Sequence, residues 1–280
     1  MKRNYLVIGG TGKTGRKVVE RLQSKGQNVR IGSRKAVPAF DWDVPETWPL
    51  ALEGIDKVYI TYQPDLAVPG ALDAIEALAG VAKEKGVKKL VLLSGKGEKE
   101  AELCEQAVMN SGLDYTIIRA SWFNQNFSES FFLDPIIAGH VALPRAEAQV
   151  PYVDTDDLAD VVTEVLLNDE HNGQIYQLTG PELLTFEDVI GRINRETGRE
   201  IQFTPISLTA YGRMLEEAGV PADYIWLINY LFTEVLGTNG NDVVVHDIEK
   251  VLNRKPKDFT TYVKQTAATG IWNARVKEIA

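Results

Sequence analysis

The chain has 280 residues, of which 44% are hydrophobic and 25% charged, as is usual for a soluble globular protein with a buried core. Its net charge of -9, without any Lys/Arg cluster, argues against binding to nucleic acid or to an anionic membrane surface. Cys104 is the sole cysteine and no apolar stretch approaches the roughly 18 residues of a membrane helix, so we predict a cytoplasmic protein without disulfides.

The first predicted strand runs into a glycine-rich turn. A Walker A loop ending in the "GKT" of this turn would need glycine at position 7, where Val7 stands, so the spacing excludes a triphosphate loop. Gly9, Gly12 and Gly15 instead form G-x-x-G-x-x-G between the strand and a helix that ends at Gly26. Dinucleotide binding requires this order of strand, turn and helix, because the glycines allow a tight turn, approach of the pyrophosphate and close helix packing. We predict a dinucleotide loop; a purely structural turn is the alternative.

The second predicted strand ends at Ser33, Arg34 and Lys35. A site that prefers NAD carries Asp or Glu near this point to bind the ribose 2′-hydroxyl. Two cations and a hydroxyl suit a 2′-phosphate better, since arginine can bind it through two hydrogen bonds. We therefore predict NADPH as the cofactor, with NADH less favoured; a solvated loop with incidental charges is the alternative.

Strands and helices continue to alternate as far as residue 120. Further strands are predicted at residues 57–62, 89–95 and 115–120, with helices that start at Pro69 and near Glu98. Such βα units predict an α/β fold with a Rossmann-like, doubly wound parallel sheet. Ligands bind beyond the carboxyl ends of such strands, at residues 9–14, 33–35, 61–64, 94–96 and from 121 onward.

The second half of the chain has a different character. An aromatic and amide-rich segment, "SWFNQNFSESFF", precedes predicted helices in "VDTDDLADVVTEVLL", "TFEDVIGRINRETG" and "PADYIWLINYLFTEVLG". The acidic "DTDD" is predicted to cap its helix rather than to hold a metal ion. We predict an NAD(P)-binding Rossmann domain at 1–168 and a smaller α+β substrate lobe at 169–280, packed on the first, with 121–152 contributing to the cleft.

Over nearly all of its length the chain resembles the NmrA-like, atypical short-chain dehydrogenase/reductase family. The resemblance is carried, in chain order, by "VIGGTGKTG", "LEGIDKVYIT", "KGVKKLVLLSG", "SGLDYTIIRASWFNQNF", "VPYVDTDDLADVV", "IYQLTGPELLTFEDV" and "KDFTTYVKQTAATGIW". The stretches "FDWDVPETW" and "ITYQP" are similar to the ergot-alkaloid reductase branch, and triphenylmethane reductase and NADPH:quinone reductases are similar in architecture. The resemblance implies an NAD(P)H-dependent reductase with NADPH lying across the sheet.

The resemblance also implies roles for individual residues. Its pyrophosphate contacts fall on Gly9, Thr11, Gly12, Lys13 and Thr14, with Gly15 closing the loop, and its 2′-phosphate contacts on Arg34 with Ser33 and Lys35. Asp41 and Trp42 would follow the third strand and flank the adenine, while Thr61, Tyr62, Gln63, Pro64 and Ser94 would line the ribose and nicotinamide. The substrate would meet four aromatic residues and one amide, which are Trp122, Phe123, Phe127, Tyr152 and Asn126.

One departure from typical short-chain dehydrogenases concerns the catalytic pair. Those enzymes use Tyr-x-x-x-Lys to move the substrate's proton, but alignment on Glu105 places Gly97 at the tyrosine position and Ala101 at the lysine position, a loss that many atypical members share. Any proton donor must then come from elsewhere, and the candidates are Tyr62, Ser94, Lys96 and Tyr152. The alternatives are packing roles for the tyrosines and a solvated loop position for Lys96.

Two functions agree with this sequence. The first is a reductase that passes hydride to a small electrophile, such as a quinone, an iminium ion or a conjugated cation. The alternative is a non-catalytic NADP(H) sensor that acts through a protein partner. His140, His171 and His246 show no metal-ligand spacing, so no metal is expected, and Cys104 is predicted to be a buried structural thiol. The substrate and the oligomeric state are left open.

Overall fold

A computed structural model describes residues 3–236 and 241–273 of the chain. The strands are β1 (Asn4–Ile8), β2 (Asn28–Gly32), β3 (Lys57–Ile60), β4 (Lys89–Gly95), β5 (Asp114–Ala120), β6 (His140–Leu143), β7 (Gln174–Leu178) and β8 (Gln202–Pro205). Six of them form a parallel sheet in the order β2-β1-β3-β4-β5-β7. This sheet confirms the predicted Rossmann-like fold.

The helices alternate with these strands along most of the chain. They are α1 (Gly15–Ser24), α2 (Trp48–Leu52), α3 (Ala71–Glu84), α4 (Lys99–Met109), α5 (Leu133–Ala138), α6 (Thr155–Leu167), α7 (Phe186–Thr197), α8 (Leu208–Glu217), α9 (Ala222–Tyr230), α10 (Asp247–Leu252) and α11 (Phe259–Ala267). Within the described ranges, none of these helices has the length and apolar character needed to cross a bilayer.

Both faces of the large sheet are covered by helices. Leu6 and Ile8 of β1 are buried in a cluster with residues of α2, α3 and α4. Tyr5 and Val7 are equally buried but point to the opposite face, because successive side chains of a strand alternate. On that face α1 packs against α6. Strands that are buried on both sides explain why β1, β3 and β4 read as continuous apolar runs.

The chain forms two compact units that are each assembled from separate stretches. Unit 1 comprises residues 1–120, 155–178 and 246–255, and unit 2 comprises 121–154, 179–245 and 256–280. These bounds differ from a single division at residue 168. The reason is that α6 packs on α1 and β7 pairs with β5, so both elements return to unit 1.

Unit 2 combines a two-stranded parallel sheet of β6 and β8 with α5, α7, α8, α9 and α11. Its core is built from large aromatic side chains, which are Phe127, Phe132, Phe186, Phe232, Phe259 and Trp272. The aromatic segment without a clear period contains one 3-10 turn at Asn124–Phe127. The long apolar helix predicted in "PADYIWLINYLFTEVLG" begins as α9 and continues as a π-helical turn at Leu231–Val235. The last residue of that prediction, Gly237, lies outside the described residues.

Local capping chemistry explains where α6 and α7 begin. Thr185 and Asp188 form a reciprocal capping box, in which each side chain accepts a hydrogen bond from the other's backbone N–H. In "DTDD", Asp156 pairs with Lys17 at 2.9 Å and Asp157 with Arg254 at 2.6 Å. Asp156 and Asp157, in the first turn of α6, therefore interact favourably with the helix dipole, and each also forms an ion pair.

The placement of Asp41 and Trp42 after a third strand was wrong. In the described part of unit 1 no strand lies between β2 and α2, and these residues belong to the loop that joins them. Pro38 stands in this loop, and a proline cannot donate a ladder hydrogen bond. The loop folds back on itself instead, since the backbone N–H of Phe40 donates to the carbonyl of Ser33 at 3.0 Å.

Candidate functional site

The candidate site lies at the carboxyl ends of the strands of unit 1. β1 has β2 on one side and β3 on the other, so the strand order reverses at β1. In open α/β sheets, ligands bind in the crevice beyond the strand ends at this switch point. The glycine-rich turn follows β1 and residues 61–64 follow β3, which brings two of the predicted cofactor segments to one place.

The first glycine of the turn ties it to the neighbouring strands. Gly9 has a φ of +70°, a left-handed conformation that favours glycine, and its N–H donates to the carbonyl of Gly32 at 2.9 Å. A Cβ at Gly9 would overlap the hydroxyl of Thr61, which itself donates to the carbonyl of Ile8 at 3.0 Å. The turn is therefore fixed against the ends of β2 and β3.

The last glycine allows α1 to approach the turn closely. A Cβ at Gly15 would overlap the backbone carbonyl of Gly9. The amino terminus of α1 consequently lies directly at the turn, where the helix dipole favours an anion. Thr11 is exposed, and Gly12 and Lys13 are half-buried, so these positions stay accessible to a ligand. Such a cradle fits the pyrophosphate of a dinucleotide.

Replacing Gly15 with alanine tests this cradle. We expect the variant to bind NADPH and NADH about 10-fold or more weakly, because the added methyl group must displace the backbone of the turn. Fluorescence titration of the reduced cofactors measures the change. Gly80→Ala is the matched control, since a Cβ at Gly80 meets no atom within 4 Å. Unchanged affinity in Gly15→Ala would show that the turn does not hold the cofactor.

The end of β2 presents the predicted 2′-phosphate contacts. Ser33 is half-buried, and Arg34 and Lys35 are exposed. The carbonyl of Ser33 accepts hydrogen bonds from the N–H groups of Ala36 and Phe40, at 3.1 and 3.0 Å. Arg34 and Lys35 therefore lie at the tip of a tight loop that directly follows Gly32. Gly32 in turn accepts a hydrogen bond from Gly9 of the glycine-rich turn.

An aromatic cluster brings the predicted adenine residues to the end of β3. The indole N–H of Trp42 donates to the carbonyl of Thr61 at 3.1 Å, and the rings of Trp42 and Tyr62 are 4.8 Å apart. Trp48 fixes the backbone of Asp41, because its indole N–H donates to the carbonyl of Asp41 at 2.6 Å. Burial raises the pKa of Tyr62, so its phenol stays protonated at neutral pH.

Ser94, at the end of β4, uses its hydroxyl inside the protein. The hydroxyl donates to a carboxylate oxygen of Glu105 at 2.6 Å, and Glu105 also pairs with Arg119 at 2.6 Å. Ser94 is only 4% exposed and Glu105 is fully buried. The hydroxyl proton of Ser94 is therefore hydrogen-bonded to the carboxylate of Glu105, and the guanidinium of Arg119 neutralises the charge of that carboxylate.

Two carboxyl groups that the sequence analysis did not single out lie beside Ser94. Glu98 is 7% exposed, and a Cβ at Gly95 would overlap its carboxyl group, so that group folds back over the end of β4. It shares a hydrogen bond with Asp65 in the loop after β3. Burial raises the pKa of Glu98 well above its usual range, and the adjacent Asp65 raises it further. Burial of the two adjacent carboxyl groups therefore favours a shared proton over two negative charges.

Lys96 follows β4 directly and is buried. Only 6% of it is exposed, so the alternative of a solvated loop lysine was wrong. Its N–H donates to the carbonyl of Ala120 at 2.9 Å, which draws the residue in against the end of β5. A positive φ of 83° at Gly97 then turns the chain so that Glu98 can reach back to β4.

The predicted substrate residues lie together in unit 2. Trp122, Phe123 and Asn126 are half-buried, whereas Phe127 and Tyr152 are buried, with their rings 5.3 Å apart. The hydroxyl of Tyr152 has no hydrogen-bond partner among the described residues, and burial raises its pKa well above the usual value. It remains a neutral phenol. On α9, Trp226 is 47% exposed and stacks on Tyr230.

Cys104 is a buried structural thiol, as predicted. It is fully buried on α4, and burial raises the pKa of the thiol to about 11. A thiol with this pKa is protonated at neutral pH and is a poor nucleophile.

A sequence model of NAD(P)H-binding proteins matches residues 9–169 of this chain. Curated relatives are similar to this chain over nearly its whole length, at identities below 30%. They include prestalk A differentiation protein A of Dictyostelium discoideum (29% identical, 95% of this chain and 93% of that protein), festuclavine dehydrogenase of Aspergillus fumigatus (26%, 94% and 97%) and an NAD(P)H azoreductase of Xenophilus azovorans (27%, 94% and 98%).

Solved structures share the fold. Triphenylmethane reductase of Citrobacter in complex with NADP(H) superposes with a TM-score of 0.76 at 19% identity, over 94% of this chain and 99% of that one. An NADPH complex of an NADPH-dependent quinone oxidoreductase from Escherichia coli gives 0.77 at 18% (93% and 99%). NmrA, a negative transcriptional regulator in complex with NADP, gives 0.71 at 16% (96% and 98%).

Proposed function

Because this chain belongs to the family of NAD(P)H-binding proteins, we propose that it is a reductase that uses NADPH to reduce a small electrophile. The bound cofactor would supply the hydride. In this proposal the glycine turn with Thr11, Gly12, Lys13 and Thr14 holds the pyrophosphate. The segments around Arg34, Trp42, Tyr62 and Ser94 then hold the remainder of the cofactor.

The observation that carries the reductase proposal is the placement of Glu98. In the alignment on Glu105, Gly97 and Ala101 stand where typical short-chain dehydrogenases carry their tyrosine and lysine, so the proposal needs another proton donor. Glu98 immediately follows the tyrosine position, and its buried carboxyl group lies over the end of β4. A protonated carboxyl group can donate a proton as a tyrosine does.

Glu98 acts in this proposal as the acid, and Asp65 keeps it protonated. The hydrogen bond and the negative charge of Asp65 both disfavour a second carboxylate at the same place. Ser94 serves instead to position the end of β4 through Glu105. Tyr62 packs against Trp42.

This division of labour defines which electrophiles need the acid. A triarylmethane cation or an iminium ion becomes neutral when it accepts a hydride, so no proton is required. A quinone or an azo group takes up a hydride and a proton to give a hydroquinone or a hydrazine. The relatives named for azo and dehydrogenase activity, and the structural neighbours that reduce quinones or dyes, support a test of both types.

The test follows NADPH fluorescence with purified protein and one electrophile at a time. The probes are a quinone, an azo dye, a triarylmethane dye and a cyclic iminium ion. We expect protein-dependent oxidation of NADPH with at least one of them. Tight NADPH binding without oxidation by any probe would contradict the reductase and favour the alternative, an NADP(H) sensor that acts through a protein partner.

A further inference from the structure

A separate cluster of metal-ligating side chains lies at the amino-terminal edge of the large sheet. Glu164 is on α6, and Glu170 and His171 are on the 3-10 turn Asp169–His171 that leads into β7. One ligand atom from each of the three residues lies within 4.8 Å of the other two. The cofactor loops are at the carboxyl ends of the same strands, so this cluster takes no part in the proposed reduction.

The imidazole of His171 points into this cluster without a hydrogen bond at one nitrogen. His171 is 8% exposed, and its buried Nε2 has no hydrogen-bond partner among the described residues, the nearest carboxylate oxygen of Glu170 being 3.8 Å away. Nδ1 is 2.8 Å from the hydroxyl oxygen of Tyr176. When Nδ1 carries the ring proton it donates to that oxygen, and Nε2 keeps a lone pair directed at the carboxylates.

The backbone holds His171 in this orientation. Its carbonyl accepts a hydrogen bond from the buried hydroxyl of Thr116 at 2.7 Å, and the N–H of Gly173 donates to the carbonyl of Tyr115 at 2.8 Å. The turn is thus fastened to β5 on both sides of Asn172. A ring fixed by its backbone and by a second polar group is the arrangement that metal-binding histidines usually have.

We propose that Glu164, Glu170 and His171 bind a divalent transition-metal ion, Zn²⁺ in preference to Mg²⁺, with water as the fourth ligand. The imidazole nitrogen favours Zn²⁺, which takes nitrogen and carboxylate ligands together, over Mg²⁺, which prefers six oxygens. Bonds of about 2.0–2.1 Å place tetrahedral ligands roughly 3.4 Å apart, so ligand atoms that lie within 4.8 Å of one another need to approach by at most about 1.4 Å. Glu170 can do so, because its side chain is 77% exposed.

Isothermal titration of Zn²⁺ into the full chain after dialysis against a chelator tests the site. We expect one equivalent to bind, and Glu170→Gln and Glu164→Gln to weaken that binding by about 10-fold or more. His246→Gln is the matched control, because His246 Nδ1 lies 3.5 Å from Glu249 in an exposed His–Glu pair. Zn²⁺ should raise the unfolding temperature of the wild type and of His246→Gln, but not that of Glu170→Gln.

Other outcomes would overturn this inference. They are no heat with Zn²⁺, equal binding in the wild type and in both glutamine variants, or loss of binding in His246→Gln alone. The side chain of Glu170 is largely exposed, so Glu170→Gln should leave the fold intact. Weaker Zn²⁺ binding by this variant would therefore report the loss of a ligand and not unfolding.

Discussion

Replacing Arg34 with alanine should weaken NADPH binding by about 30-fold and NADH binding by less than about 3-fold. A hydrogen bond between ions contributes roughly 2 kcal/mol, which corresponds to a 30-fold change in affinity. NADH has a hydroxyl group where NADPH has the 2′-phosphate, so it cannot use this interaction. Isothermal titration with each reduced cofactor measures the two affinities, and a higher salt concentration should reduce the difference.

Lys25→Ala is a suitable control for this experiment. Lys25 is also exposed and also in unit 1, but it follows α1 at the edge of the sheet opposite to the glycine turn. Its replacement should change neither affinity. If Arg34→Ala lowered both affinities equally, the assignment of Arg34 to the 2′-phosphate would be wrong, and so would the argument for NADPH.

In the Glu98→Gln variant, we expect turnover with a quinone to fall by about 100-fold, as is typical for loss of a general acid. Reduction of a triarylmethane cation should change by less than about 3-fold, because it requires no proton. Glutamine has nearly the shape of a protonated glutamate, so the fold over Gly95 should persist. Steady-state kinetics with both electrophiles, at saturating NADPH, separate the two effects.

The pH dependence gives the same test a second measurement. Since the protonated form of Glu98 is the active one, quinone turnover should decline as the pH rises through its raised pKa, while dye turnover should not. Asp65→Asn removes a neighbouring charge that raises this pKa, so the decline should begin at a lower pH. The charged groups that act on Glu98 are Asp65 in the loop after β3 and Glu100 and Glu105 on α4, the helix that Glu98 precedes. Glu105 is itself paired with Arg119 on β5.

Glu102→Gln provides the control for Glu98. It removes a half-exposed carboxylate of α4, the helix that Glu98 precedes. This carboxylate pairs with Arg119 at 3.6 Å, and its loss should leave both turnovers unchanged. Equal losses with quinone and dye in Glu98→Gln would assign the residue a structural or cofactor-binding role. Undiminished quinone turnover would exclude it as the acid even if the reductase proposal is right.

The fold and the family could be predicted because their signals are local in the chain. The strand, the turn at Gly9 to Gly15 and the start of α1 are adjacent in sequence, so their pattern predicts their geometry directly. The predicted NAD(P)-binding family is confirmed by the match to the NAD(P)H-binding family model, and the predicted Rossmann-like fold is confirmed by its likeness to solved structures such as that of NmrA. The helix predicted in "TFEDVIGRINRETG" is α7, and its start is also set locally, by the capping box of Thr185 and Asp188.

Several elements were missed because their stability comes from distant parts of the chain. β7 reads "QIYQL", in which polar residues are frequent, and it is a strand because it pairs with β5. β6 and β8 are short and stabilise each other. Strand propensity is weak evidence at such positions, since pairing and burial decide the outcome.

The burial of charged residues is also a tertiary property. Nothing in the spacing of Lys96 and Glu98 shows that both are buried, because their burial depends on Ala120 and on the loop that carries Asp65. The available signal was the pair of glycines in "SGKGE". One gives the carboxyl group room over β4, and the other permits the left-handed turn that brings it back.

The discontinuous composition of unit 1 has a consequence for the nascent chain. The ribosome synthesises β1 to β5 within the first 120 residues, and β4 can then pair with one edge of β5. The strand that pairs with the other edge, β7, is complete only at Leu178. Until then one edge of β5 offers unpaired backbone groups, which are a template for pairing with another polypeptide. A protein shortened to residues 1–168 would keep this open edge permanently. It should aggregate, whereas a fragment that ends after Lys255 retains every stretch that the first unit requires.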